Sequence, residues 1–184
     1  MNERHAFAAE YRCIAADPPW PERGGGRIKR GADRHYKLLR PHEIISTILG
    51  AGVWRPALNC HLWLWATNNH LPDALFVMAA LGFRYVTNAV WAKDRAGLGQ
   101  YLRGRHELLL FGVRGRLPSQ SRRCSTLIEA KRGRHSQKPL AAFQLIEAVS
   151  PGPRLEMFAR SLRDGWDCWG DELVDDRATA SGAV

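Results

Sequence analysis

The chain has 184 residues, 45% of them hydrophobic, and a formal net charge of +9. That length supports one globular domain and is short for two, the apolar share excludes a disordered chain, and no apolar run is long enough to span a bilayer. Met1 to Glu10 lacks the apolar segment of a secretory signal, so a soluble, cytoplasmic protein with no membrane partner is expected.

Cys13, Cys60, Cys124 and Cys168 are widely spaced with no C-x-x-C pair, which excludes a zinc knuckle or a disulfide framework written into the spacing. His135 has no other ligand at metal spacing, and no metal is expected. The positive charge is clustered, which points to a polyanionic partner. One basic stretch is Arg23, Arg27, Lys29, Arg30, Arg34 and Lys37, set among glycines. A second region, about 93–135, contains Arg103, Arg105, Arg114, Arg116, Arg122, Arg123, Lys131, Arg132 and Arg134.

In chain order, Tyr11 to Ala16 reads as a strand that empties into Asp17-Pro18-Pro19-Trp20, because two successive prolines continue neither a ladder nor a helix. Residues 21–37 form a glycine- and arginine-rich loop, and Pro41 to Leu49 has the first-turn proline and apolar spacing of a helix. His61 to Ala66, rich in Trp and Leu, predicts a buried strand whose Trp63 and Trp65 belong to the core. Leu71 to Leu81 repeats apolar residues at helical spacing and stops at Gly82, the place of a C-terminal capping glycine.

Phe83 to Trp91 and Glu107 to Val113 predict two strands joined by a long hairpin-type connection through Gly97-Leu98-Gly99, and Leu127-Ile128 a further short one. A helix from about Pro139 to Ser150 follows, then strands over Arg154 to Ala159 and Trp166 to Leu173. Residues 1–174 therefore predict a single α/β domain, a three-layer sandwich around a mostly parallel sheet, with a frayed tail over 175–184.

Asp17-Pro18-Pro19-Trp20 carries the chemistry. Such a string arises by chance on the order of once in several thousand chains of this length, and it lies at a strand's carboxyl end, where open α/β sheets place ligands. A carboxylate and a rigid carbonyl side by side suit an exocyclic amine. Each accepts one N–H, which pulls the nitrogen toward tetrahedral geometry and aims its lone pair. Pro18 and Pro19 would hold the carbonyl rigidly, and Trp20 would offer a face for an extruded base. Lys138 stands at a helix start, where the dipole disfavours a cation, so an anion is expected beside it. Glu107 is read either as an ion-pair partner of Lys93 or Arg105 or as an active-site residue.

The tetrapeptide resembles the catalytic motif of the DPPW-type adenine-N6 methyltransferases, the family typified by the catalytic subunit of the eukaryotic messenger-RNA adenosine methyltransferase, with bacterial and phage relatives. The other family features occur here in the same order. They are Tyr36, Trp91-Ala92-Lys93, Glu107, His135-Ser136-Gln137-Lys138-Pro139, Glu156-Met157-Phe158-Ala159-Arg160 and Gly165-Trp166-Asp167-Cys168-Trp169-Gly170.

The resemblance implies a Rossmann-like methyltransferase fold with permuted motif order and S-adenosyl-L-methionine as cofactor. It assigns Asp17 and Pro18 to the target amine, with Pro19 completing the catalytic turn and Trp20 and Tyr36 on the base. Arg27, Lys29, Arg30, Trp91, Lys93 and Glu107 are expected on the nucleic-acid side. Asp17, Lys138, Glu156, Phe158, Arg160, Asp171 and Glu172 are expected on the cofactor side, with Lys138 at the methionine carboxylate and Arg160 at the ribose. Asp171 stands where relatives have an amide. The chain begins shortly before the DPPW strand, so an appended RNA-targeting domain is not expected and DNA is favoured over RNA. A catalytically inactive nucleic-acid-binding partner and a cytosine-N4 methyltransferase are the alternatives, the latter more often carrying a Ser-Pro-Pro-Tyr-type motif.

Overall fold

The computed structural model describes residues 7–21, 38–97, 101–133, 137–171 and 173. Its strands are β1 (Tyr11–Ala16), β2 (Pro56–Ala66), β3 (Arg84–Ala92), β4 (His106–Arg114), β5 (Leu127–Glu129), β6 (Arg154–Met157) and β7 (Asp167–Trp169). The helices are α1 (Pro41–Gly50), α2 (Leu71–Ala80) and α3 (Leu140–Val149). Every predicted element is present. The main boundary difference is β2, which starts five residues before the expected His61; this opening stretch, Pro56 to Asn59, is half-buried or exposed and so lacks an apolar signature. The last strand is shorter than expected, and the 175–184 tail lies outside the described residues.

One seven-stranded sheet runs in the order β5-β3-β4-β2-β1-β6-β7. Strand β4 pairs antiparallel with β2 and β3, while the other pairings among the described residues are parallel. The sheet is thus mostly parallel, as expected. Reversal of β4 has a consequence for the site: it brings its first residues, His106 and Glu107, to the edge where its neighbours end.

Alternation along the strands builds the two buried layers. Leu62 and Leu64 of β2 and Ile14 of β1 pack with Ile44 and Ile48 of α1 and Val77 and Met78 of α2. Trp63 and Trp65 face the other side, with Phe143 and Ile146 of α3. Each fully buried side chain of this size contributes roughly 1.5–3 kcal/mol. Gly82 ends α2 at φ +84°, with the Gly82 N–H on the Ala79 carbonyl and the Phe83 N–H on the Met78 carbonyl, the paired bonds of a Schellman cap.

Helices on opposite faces mean that the chain leaves β1 over one face through α1 and enters β6 from the other through α3. The crevice beyond the carboxyl ends of β1 and β6 is therefore the sheet's switch point, the usual ligand position in such folds.

Candidate active site

Asp17 follows β1 directly into that crevice, its N–H 3.4 Å from the Met157 carbonyl of β6. The next residues make a tight turn in which the Trp20 N–H meets the Pro18 carbonyl at 2.9 Å, a three-residue closure. The Pro18 carbonyl is thereby fixed in direction, and a carbonyl oxygen keeps a second lone pair for another donor. Pro19 offers its own carbonyl to the Leu39 N–H at 2.9 Å.

Lys138, immediately before α3, donates to Asp17 Oδ2 at 2.7 Å and lies 3.4 Å from Glu107 Oε2. Glu107 Oε1 in turn receives Lys93 Nζ at 2.5 Å. Four charged side chains, just past β1 and β3, in β4 and just before α3, thus form one chain, Asp17–Lys138–Glu107–Lys93, with each side chain at most 20% exposed. The anion expected beside Lys138 is supplied by the protein itself. Glu107 therefore pairs with Lys93, as the ion-pair reading has it, and through Lys138 it is linked to Asp17. Arg105 instead donates to the Lys93 carbonyl.

Burial raises the cost of charging Glu107, but Lys138 and Lys93 overcome it and hold the carboxyl below its ordinary range. For Lys138, burial works against the charged form, and Asp17 and Glu107 more than restore it, leaving the ammonium above its ordinary value. Its Nζ also lies 5.1 Å from the Trp65 ring centroid.

On the β6 side, Glu156 is pushed up by burial despite Arg163 Nε, 3.3 Å from Oε2. Arg163, which sequence reasoning missed, also stacks its guanidinium 3.3 Å from the Phe143 ring centroid. Phe158 leaves β6 at φ +61° and meets Trp169 edge-on at 5.9 Å. Arg160 follows, half-buried, and Asp171 lies exposed just past β7. Lys138, Glu156, Phe158, Arg160 and Asp171 are thus brought to the exits of β1, β6 and β7.

Two aromatic expectations are corrected. Trp20 presents no open stacking face: it is 8% exposed, donates Nε1–H to the Trp65 carbonyl at 2.8 Å, and lies on the His70 ring. Trp91 is equally buried and donates to the Ala130 carbonyl. Both indoles are walls of the crevice, because each N–H already has a buried backbone acceptor and the rings fill core volume. The second basic region is divided by two of the expected strands. It contains β4 and β5, which separate Arg103, Arg105, Lys131 and Arg132 at the Glu107 edge from Arg114 and Arg116 at the opposite one. Arg27, Lys29, Arg30, Tyr36, His135, Ser136 and Glu172 lie outside the described residues.

A family profile described as MT-A70 matches residues 11–172, from the first residue of β1 to just past β7. The chain belongs to the MT-A70 family. This MT-A70 domain is 28% identical over 91% of its length to the type II methyltransferase M.MunI of a Mycoplasma species, covering 80% of that protein. Against the N6-methyladenosine RNA methyltransferase MTA1 of Cryphonectria parasitica the identity is 30% over 94% of the chain. Against the N(6)-adenine-specific methyltransferase METTL4 of Homo sapiens it is 26% over 91%. The chain spans only 55% and 38% of those two relatives. The MT-A70 family is one of methyltransferases, and the α/β sheet with its switch-point crevice is consistent with their Rossmann-like fold.

The donor set fits a zwitterionic cofactor moiety. Asp17 and Lys138 put one carboxylate and one ammonium side by side, a partner for each pole of an amino acid. Among the described residues, no helix is long and apolar enough to cross a membrane.

Proposed function

We propose that this chain transfers a methyl group from S-adenosyl-L-methionine to the N6 amine of adenine in nucleic acid, and that DNA is the substrate. The observation that carries the reading is the pairing, at the switch point, of the Asp17 carboxylate with a Pro18 carbonyl locked by the Trp20 N–H. The cofactor supplies a methyl on a sulfonium, an electrophile that needs no activation. What the protein must supply is the nucleophile's geometry. Asp17 and Pro18 accept one N–H each, which localises the amine lone pair and aims it. Lys138 engages only Oδ2 of Asp17, and a carboxylate has two acceptor oxygens, so Lys138 and the amine can be served together. The amine proton released on methylation leaves to solvent past the same carboxylate.

Asp17, Lys138, Glu156, Phe158, Arg160 and Asp171 would hold the cofactor, Lys138 facing its carboxylate and Asp17 its ammonium. Glu107 and Lys93 keep Lys138 in place from behind. Trp20 and Trp91, buried as they are, act by shaping the crevice. Phosphate contacts are assigned to Arg27, Lys29 and Arg30, with Tyr36 on the base.

Nucleoside mass spectrometry after incubation with the cofactor and sequence-matched DNA and RNA tests this reading. N6-methyldeoxyadenosine is the expected product. N4-methylcytosine, or cofactor binding with no product on either polymer, overturns it in favour of a cytosine enzyme or an inactive binding partner.

A further inference from the structure

The residues on either side of the basic segment are tied back to the protein. Leu39 donates to the Pro19 carbonyl, and the Pro21 carbonyl lies 2.5 Å from His70 Nε2. The other ring nitrogen, His70 Nδ1, lies 2.8 Å from Asp73 Oδ2 in the first turn of α2. The imidazole is 1% exposed and stacks on the Trp20 indole, with ring centroids 5.5 Å apart and planes 16° from parallel.

A carbonyl oxygen and an ionised carboxylate only accept hydrogen bonds. A neutral imidazole carries a single N–H and satisfies one of them. Both bonds are made when both nitrogens carry protons.

We propose that His70 is a positioning residue for the DPPW turn: as an imidazolium bridging Asp73 and the Pro21 carbonyl, and packed flat on Trp20, it anchors that turn to the start of α2. Trp20 is then clamped between the His70 ring and the Trp65 carbonyl, and the Trp20 N–H sets the direction of the Pro18 carbonyl. His70 touches no reacting atom; it acts through Trp20 and Pro21. Asp17 depends on it less, being held by β1 and Lys138. The effect of losing His70 should therefore fall on turnover and on the Michaelis constant for nucleic acid, and spare cofactor affinity. That kinetic consequence rests on the proposed methyl transfer, whereas the hydrogen bonding does not.

Two measurements test it separately. Nitrogen-15 spectra of the wild-type chain at neutral pH should show protons on both His70 nitrogens, and a neutral tautomer overturns the proposal whatever the enzyme's activity. His70→Phe keeps the ring and its stacking but removes both donors. It should lower turnover by about tenfold or more while the calorimetric cofactor affinity changes by less than about twofold. His70→Gln, which restores one donor toward Pro21, should recover part of that loss. Wild-type turnover in a folded His70→Phe variant also overturns the proposal. If the wild-type chain methylates no adenine, the functional reading fails, and the spectra still decide the role of His70.

Discussion

Two buried histidines on or just beyond the same strand contrast the two edges of the sheet. His61, within β2, has Nδ1 2.9 Å from Ser150 Oγ and Nε2 2.9 Å from the Leu117 carbonyl. Trp63 donates its indole N–H to the same Ser150 oxygen at 2.9 Å. The three bonds close if Ser150 gives its own proton to Nδ1 and Nε2–H serves Leu117, so a neutral ring completes the network. Burial, followed by Arg12, pushes the His61 pKa down, although the Leu117 carbonyl works the other way. At the carboxyl edge, His70 faces two acceptors, and the neighbouring Asp17–Lys138–Glu107–Lys93 chain is likewise built from charges. At the first edge the His61–Ser150–Trp63 network closes around a neutral ring. The other holds paired charges that an incoming zwitterion or amine can engage.

The largest effect expected from breaking this contrast is at Asp17. Asp17→Asn keeps the shape but supplies one acceptor oxygen in place of a carboxylate, and methyl transfer should fall by about 100- to 1,000-fold. A tritiated-methyl assay reads the loss, and full activity in that variant would remove Asp17 from the reaction.

Lys138→Ala comes next. It removes the only ammonium shared by Asp17 and Glu107 in the chain described above and the proposed partner of the cofactor carboxylate. Cofactor binding by calorimetry should weaken by about 1.5–3 kcal/mol, the worth of a hydrogen bond to a charged group. Unchanged affinity would mean that the lysine serves Asp17 alone.

Ser150→Ala should separate the edges cleanly. It leaves the Trp63 N–H and His61 Nδ1 without their shared partner, which costs about 1–3 kcal/mol of stability in denaturant titration. Turnover should not change, because nothing in that network adjoins Asp17. A matching fall in turnover would show that the two edges are coupled.

The smallest effect is the pH dependence of stability from His61. Its folded pKa is depressed, so its contribution is present above the ordinary value of about 6.5 and is lost as pH falls below it through the folded value. Thermal midpoints across mildly acid pH should drop less steeply in a His61→Gln variant than in the wild type. Parallel curves would place the acid sensitivity elsewhere.

Much of this protein is local and therefore legible along the chain. Tyr11–Ala16 is a short apolar run that halts at two prolines; Leu71–Ala80 repeats at helical spacing and halts at Gly82; Asp17 and Pro18, the proposed grip on the amine, are adjacent residues. These features depend on backbone sterics and periodicity within a few residues, and sequence alone determined them. The His70-x-x-Asp73 spacing was equally visible, but one histidine and one aspartate at a helix start give no sign of the Pro21 carbonyl they engage. Only the tertiary structure decided that Lys138 would meet Asp17 across 121 positions of chain, that the antiparallel β4 would deliver Glu107 between Lys138 and Lys93, and that Trp20 would turn inward onto His70 instead of facing a base. The reason is that each depends on strand order and direction. Those are settled by which apolar faces the helices cover, a sum over contacts distant in sequence that no local pattern contains.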